Sequence, residues 1–93
     1  MPLRFVWDAR KAEANLRKHG VSFVEAATAF EDPLSITIRD PDHSVHEERF
    51  ILVGQSRQQH LVIVAHVERD DTIRIISARP ANRQERTSYE EGE

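Results

Sequence analysis

The sequence predicts an α+β fold: a mostly antiparallel sheet of about four to five strands, with an N-terminal helical hairpin and a C-terminal helix. Three observations carry that reading. Four short segments between residues 34 and 78 are rich in β-branched and aliphatic residues and are separated by turn formers. Two capped helical segments between residues 9 and 31 are joined by so few residues that they must fold back on each other as a hairpin. After Pro80, a polar stretch at 82–89 reads as a further helix.

Leu3, Phe5 and Trp7 alternate with polar or smaller residues, the pattern of a short strand with one apolar face. Asp8 stands where an N-cap would, ahead of a helix at 9–19 whose apolar stripe is Ala9, Ala12, Leu16 and His19. Gly20 suits the left-handed residue that ends it. Ser22 and Glu25 match a capping box for a second helix that runs to about Glu31 and buries Phe23, Ala26, Ala27 and Phe30. Asp32-Pro33 stops it. Strands are expected at 34–39, 49–54, 61–67 and 72–78, with a turn cluster at Asp40-Pro41-Asp42-His43-Ser44 and a hairpin turn at Arg69-Asp70-Asp71. The run Leu61-Val62-Ile63-Val64-Ala65 does not alternate, which places that strand in the centre of the sheet, covered on both sides. The expected core is Phe5, Trp7, Leu16, Phe23, Phe30, Leu52, Val62, Val64 and Ile75.

With 93 residues the chain has room for a single domain and one modest core, with residues 90–93 as a frayed acidic tail. It has no cysteine, which excludes a thiol nucleophile, a disulfide and a thiolate metal site. No apolar run is long enough to span a membrane, and the first residues lack the apolar stretch of an export signal, so a cytoplasmic protein is expected. Of the net charge of −3, all is contributed by Glu90, Glu91 and Glu93; the remainder is balanced but segregated. Residues 1–20 and 74–86 are basic, while residues 25–48 hold seven carboxylates against Arg39. Nucleic-acid binders are usually more basic overall. His43 and His46 lie three apart in a loop without a fixed helical pitch, so neither a metal site nor another cofactor is expected.

The segment Thr72-Ile73-Arg74-Ile75-Ile76-Ser77-Ala78-Arg79 mixes buried-strand residues with two arginines and ends at Pro80, which cannot continue a ladder. The arginines are five apart, so an ideal strand sends them to opposite faces. Either one of them is structural, or the strand ends or bulges before Arg79.

An ordered set of motifs resembles the BrnT toxins. It comprises Phe5-x-Trp7-Asp8, Lys11-Ala12, Asn15, Lys18-His19-Gly20-Val21-Ser22-Phe23 and Glu25-Ala26, then Phe30-x-Asp32-Pro33, Asp42-x-Ser44, Glu47-Glu48-Arg49, the segment from Arg74 to Arg79, Glu85-Arg86 and Tyr89. The likeness runs from about residue 3 to residue 90. It implies a RelE-like ribonuclease fold, toxic cleavage of RNA in bacteria, and a BrnA-like ribbon-helix-helix antitoxin encoded alongside. The two would form a hetero-oligomer that represses its own operon, touching DNA only through the antitoxin and having no part in a membrane. The chain departs from the pattern at Ser56-Arg57-Gln58-Gln59-His60, where relatives tend to carry glycine and basic residues.

Metal-independent RNA cleavage needs a base for the ribose 2′-hydroxyl, cations for the phosphate and an acid for the 5′-oxygen. The candidate catalytic residues are Lys18, His19, Arg49, Arg74 and Arg79, gathered in a cleft between sheet and helices, with Glu48 and His43 in support. Arg83, Arg86 and Tyr89, three apart on the last helix, are candidates for RNA contact. Each has a plainer role open to it. Lys18 complements a helix C-terminus, His19 is half-buried, Arg49 pairs with Glu47 or Glu48, and Tyr89 packs on the sheet. The competing function is a catalytically silent module that holds the antitoxin and acts in operon autoregulation.

Overall fold

The computed structural model describes residues 3–42 and 47–92, so the role expected of His43 lies outside the described residues. The chain opens with a three-residue strand, β1 (Arg4–Val6), and α1 (Ala9–His19). Asp8 caps α1, its carboxylate accepting the Lys11 N–H at 3.0 Å. Gly20 ends the helix at φ 73°, where a β-carbon would be strained. Ser22 caps α2 (Phe23–Thr28) by accepting the Glu25 N–H at 2.9 Å, and a 3₁₀ turn at Ala29–Glu31 prolongs it. The strands are β2 (Ile36–Arg39), β3 (Arg49–Gln55), β4 (Leu61–Arg69) and β5 (Thr72–Pro80), and α3 (Arg83–Glu90) follows.

The sheet order is β1-β5-β4-β3-β2. Strands β2 to β5 form an antiparallel meander. The first strand joins it parallel to the last, with Arg4 opposite Thr72 and Val6 opposite Arg74. The central place of β4 accounts for its unbroken apolar run, since Leu61, Val62, Ile63 and Val64 are all buried. Between β4 and β5 a two-residue turn, Asp70-Asp71, puts Asp70 at φ 56°, a conformation that aspartate tolerates better than most residues.

Three expectations are corrected. Pro80 does not lie beyond β5 but is its last residue, opposite Val62. The first strand accompanies β5 only as far as Arg74, so no second strand needs the donor that proline lacks. The capping box at α2 is made on one side only, because the Glu25 carboxylate turns to Ser56 and His60. The complete box belongs to α3, between Asn82 and Glu85. Finally, Leu16 is 49% exposed rather than part of the core.

Its neighbour Asn15 takes the inward position. The Asn15 amide accepts the Ala78 N–H at 3.1 Å and donates to the carbonyls of Ala78 and Val21 at 2.8 and 2.9 Å. It stands in for one residue of a missing strand beside β5, satisfying backbone groups that burial would otherwise leave unpaired.

The core lies between the helical hairpin and one face of the sheet. Phe23, Ala26 and Ala29 meet Leu52, Val62, Val64, Ile73, Ile75 and Ala78, with Phe5, Trp7 and Phe30 partly buried against them. Edge-to-face pairs join Phe5 to Phe30 and Trp7 to Phe23, at centroid distances of 5.2 and 5.9 Å. His66 is fully buried between the rings of Phe30 and Phe50. Gly54 in β3 passes so close beneath the 3₁₀ turn that a β-carbon would lie 2.9 Å from the Ala29 carbonyl oxygen. On the opposite face of the sheet, α3 lays Tyr89 beside Ile36, Ile38 and Val53. No described helix is long and apolar enough to cross a membrane.

Candidate active site

The placement of the two strand arginines depends on one irregularity. Ala65 and His66 are consecutive on β4, yet their partners on β5 are Ser77 and Ile75, so Ile76 is an extra residue. This β-bulge resets the alternation. Ile73, Ile75 and Ala78 all remain buried toward the helices, and Arg74 and Arg79 both emerge on the opposite face. Arg49 joins them, because Val67 is the cross-strand partner of both Arg49 and Arg74.

Carboxylates meet this row. The Arg74 guanidinium donates to Glu47 Oε1 at 2.5 Å, and that hydrogen bond is the main reason the Glu47 carboxyl lies below the usual range. Arg39 pairs with Glu48 at 3.0 Å, so the support expected from Glu48 goes to Arg39. Arg79 forks onto both oxygens of Glu85, at 2.9 and 2.7 Å, holding the Glu85 carboxyl low. Glu85 also accepts the Asn82 N–H, so Arg79 ties the start of α3 to β5. The groove beside Arg74, about 570 Å³, is lined by Arg69 and four carboxylates, those of Glu47, Glu48, Glu68 and Asp70. Its charge is negative on balance, so a phosphate reaches Arg74 only by taking the place of Glu47.

The five catalytic candidates do not share one cleft. Lys18 and His19 end α1, and His19 lies beside Pro80, six residues along β5 from Arg74. At the rise of a strand that is roughly 20 Å. Arg83 and Arg86 are exposed on α3, while Glu85 and Tyr89 form its half-buried face. The Tyr89 hydroxyl donates to Asp32 Oδ2 at 2.5 Å, which raises the phenol to about 12. Burial pushes the Asp32 carboxyl up, but hydrogen bonds from Tyr89 and from the N–H groups of Gln55 and Leu34 outweigh it and leave the group below its ordinary value. Tyr89 therefore fastens α3 to the loop before β2.

A second groove, about 270 Å³, opens at the end of the sheet where α1, the β3–β4 turn and α3 meet. His19, Gln59, His60, Pro80 and Arg86 line it, and no carboxylate does. The His60 ring is 66% exposed, and its Nδ1 donates at 2.6 Å to Glu25 Oε2. Ser56 Oγ donates to the same carboxylate oxygen at 2.7 Å. The turn itself is tight: Ser56 N–H bonds the His60 carbonyl at 2.8 Å, and Gln59 sits at φ 67°. Neither His60 nor the buried Glu25 was among the candidates from sequence. Glu25 does fall at helical spacing with Ser22 and the buried Ala29, which marks it as inward-facing, but the capping-box pattern accounts for it equally well. Among the described residues, no group of His, Asp and Glu side chains converges as a metal site requires.

No curated protein matches the sequence. The family model for the ribonuclease toxin, BrnT, of type II toxin-antitoxin systems matches residues 7–85. In structure the chain is similar to the ribonuclease toxin BrnT of Brucella abortus, known from a crystal structure at 1.1 Å resolution. The TM-score is 0.66 at 24% identity, over 87% of this chain and 99% of that one. The likeness establishes a common fold.

Proposed function

The chain belongs to the BrnT family of ribonuclease toxins of type II toxin–antitoxin systems, and we propose that it cleaves RNA to arrest translation and growth until an antitoxin binds it. In this reading the antitoxin is a ribbon-helix-helix protein encoded alongside, the pair represses its own operon, and cleavage proceeds in the cytoplasm without a metal ion. The observation that carries the RNA reading is the bulge at Ile76, which brings Arg74 and Arg79 onto the face that holds Arg49. Three guanidiniums on one face suit the backbone of a single strand. Glu47 is then a mobile counter-ion that a phosphate displaces from Arg74. Lys18 and Arg83, both exposed, add positive charge at the margins.

The test is induced expression with and without the neighbouring gene, following growth and bulk RNA. Arrest with RNA loss, relieved by the neighbour, is expected. Normal growth with intact RNA removes the ribonuclease reading and leaves the catalytically silent antitoxin-binding module. That alternative draws its support from the carboxylates that neutralise Arg39, Arg74 and Arg79. Cleavage that chelation abolishes would rule out the metal-independent path.

A further inference from the structure

We propose that the groove at the end of the sheet is the proton-transfer site, with His60 as general base, His19 as general acid and Arg86 on the phosphate. The inference rests on the ribonuclease reading and gives that reaction its proton carriers. Four observations place them here. The groove brings together two histidines and an arginine and has no carboxylate in its lining, unlike the one beside Arg74. Among the described residues, His19 and Arg86 spend no side-chain hydrogen bond or ion pair on the protein. His60 is held from behind by a carboxylate that is itself buried and braced by Ser56. The groove also lies at the end of the strand that carries the arginine row, since Pro80 in its lining follows Arg79, whose side chain projects from the other face of the sheet.

The hydrogen bond to Glu25 fixes the tautomer. A carboxylate only accepts, so Nδ1 of the neutral ring carries the proton and Nε2 is left as an acceptor. Nε2 takes the proton of a ribose 2′-hydroxyl as O2′ bonds to phosphorus. The bond from phosphorus to the 5′-oxygen breaks, and the leaving oxygen takes a proton from the His19 imidazolium. The products are a 2′,3′-cyclic phosphate and a 5′-hydroxyl. Two protons have moved, with no oxidant, reductant or further reactant. An RNA strand several nucleotides long would pass round the end of β5 from this groove to the face that carries Arg79 and Arg74.

The test uses a short single-stranded RNA and the full chain. His19→Ala should lose at least ~100-fold in kcat with an unchanged melting temperature, and His60→Ala should lose as much while melting somewhat lower, because the buried Glu25 carboxylate loses a donor. His60→Gln should be equally inactive, keeping the fold argument separate from the chemistry. Arg86→Ala should raise KM about tenfold by removing a charged contact. An RNA dinucleotide lacking the attacking 2′-hydroxyl should shift the ring signals of His19 and His60 in NMR spectra. The imidazole nitrogens of His60 should report a single tautomer protonated on Nδ1. Cleavage at the parent rate by either histidine variant overturns the proposal and leaves the ribonuclease reading standing. Ring signals that ignore the dinucleotide overturn it whatever the parent cleaves. A parent chain that cleaves no RNA removes both.

Discussion

Arg49 and Arg74 stand on one rung of the sheet, on either side of Val67, with two strand spacings between their backbones. That is about 10 Å, a distance at which two forks can hold one RNA strand without sharing a phosphate. Arg74→Ala is expected to reduce kcat/KM on RNA about 10- to 100-fold, mainly through KM, as loss of a charged hydrogen bond would. Arg74→Lys should restore part of it, since an ammonium cannot reproduce the fork. The fold, checked by circular dichroism, should persist in both. Parent-like kinetics for Arg74→Ala would reduce this arginine to a partner for Glu47.

Asn15 satisfies three backbone groups at once. Asn15→Ala should cost roughly 3 kcal/mol, because the N–H and carbonyl of Ala78 lose their partner inside the protein. Asn15→Asp should be as harmful, since a carboxylate cannot donate to the two carbonyls. Chemical denaturation measures both. A midpoint close to the parent's would mean that water replaces the amide.

Gly54→Ala tests the close approach of β3 to the 3₁₀ turn. The added methyl would meet the Ala29 carbonyl oxygen, a backbone atom that cannot swing aside, so a loss of about 1–3 kcal/mol is expected. Chemical denaturation reads the loss, and a midpoint equal to the parent's would mean that the 3₁₀ turn gives way to the methyl.

The bond between Tyr89 and Asp32 predicts a stability change at each end of the pH scale. The folded phenol titrates at about 12, above its ordinary value near 10. Its contribution is therefore complete below pH ~10 and is lost as pH rises toward 12. The carboxyls of Asp32, Glu47 and Glu85 are held low in the fold, so their contributions are complete above the ordinary carboxylate range of about 4 and fade as pH falls below it. Tyr89→Phe should remove the alkaline step and cost about 1 kcal/mol at neutral pH. Thermal melting from pH 3 to 12 reads both limbs, and an alkaline step that survives in Tyr89→Phe would assign it to another group.

The elements were legible because local signals agreed with one another. Asp8, Gly20 and Ser22 mark helix ends by chemistry that acts within a turn, and the apolar run from Leu61 marks a central strand. What was not legible depends on partners far along the chain. Leu16 looks like core until Asn15 is seen to bond Ala78, 63 residues away. The common face of Arg74 and Arg79 requires the bulge, one of the outcomes that the five-residue spacing allowed. His60 gains its meaning from Glu25, 35 residues earlier, whose caps-and-turns explanation was sufficient locally.

The parallel pairing of β1 with β5 also has a temporal meaning. A chain is made from its N-terminus, so Arg4 to Val6 are synthesised first and must wait for Thr72 to Arg74 before their place in the sheet exists. The hairpin of α1 and α2 is in the same position, because most of the buried sheet residues it packs against lie on β4 and β5. Contacts of such sequence separation form late and together. In a growing chain β1 and the helical hairpin therefore lack most of their partners until β4 and β5 have been made.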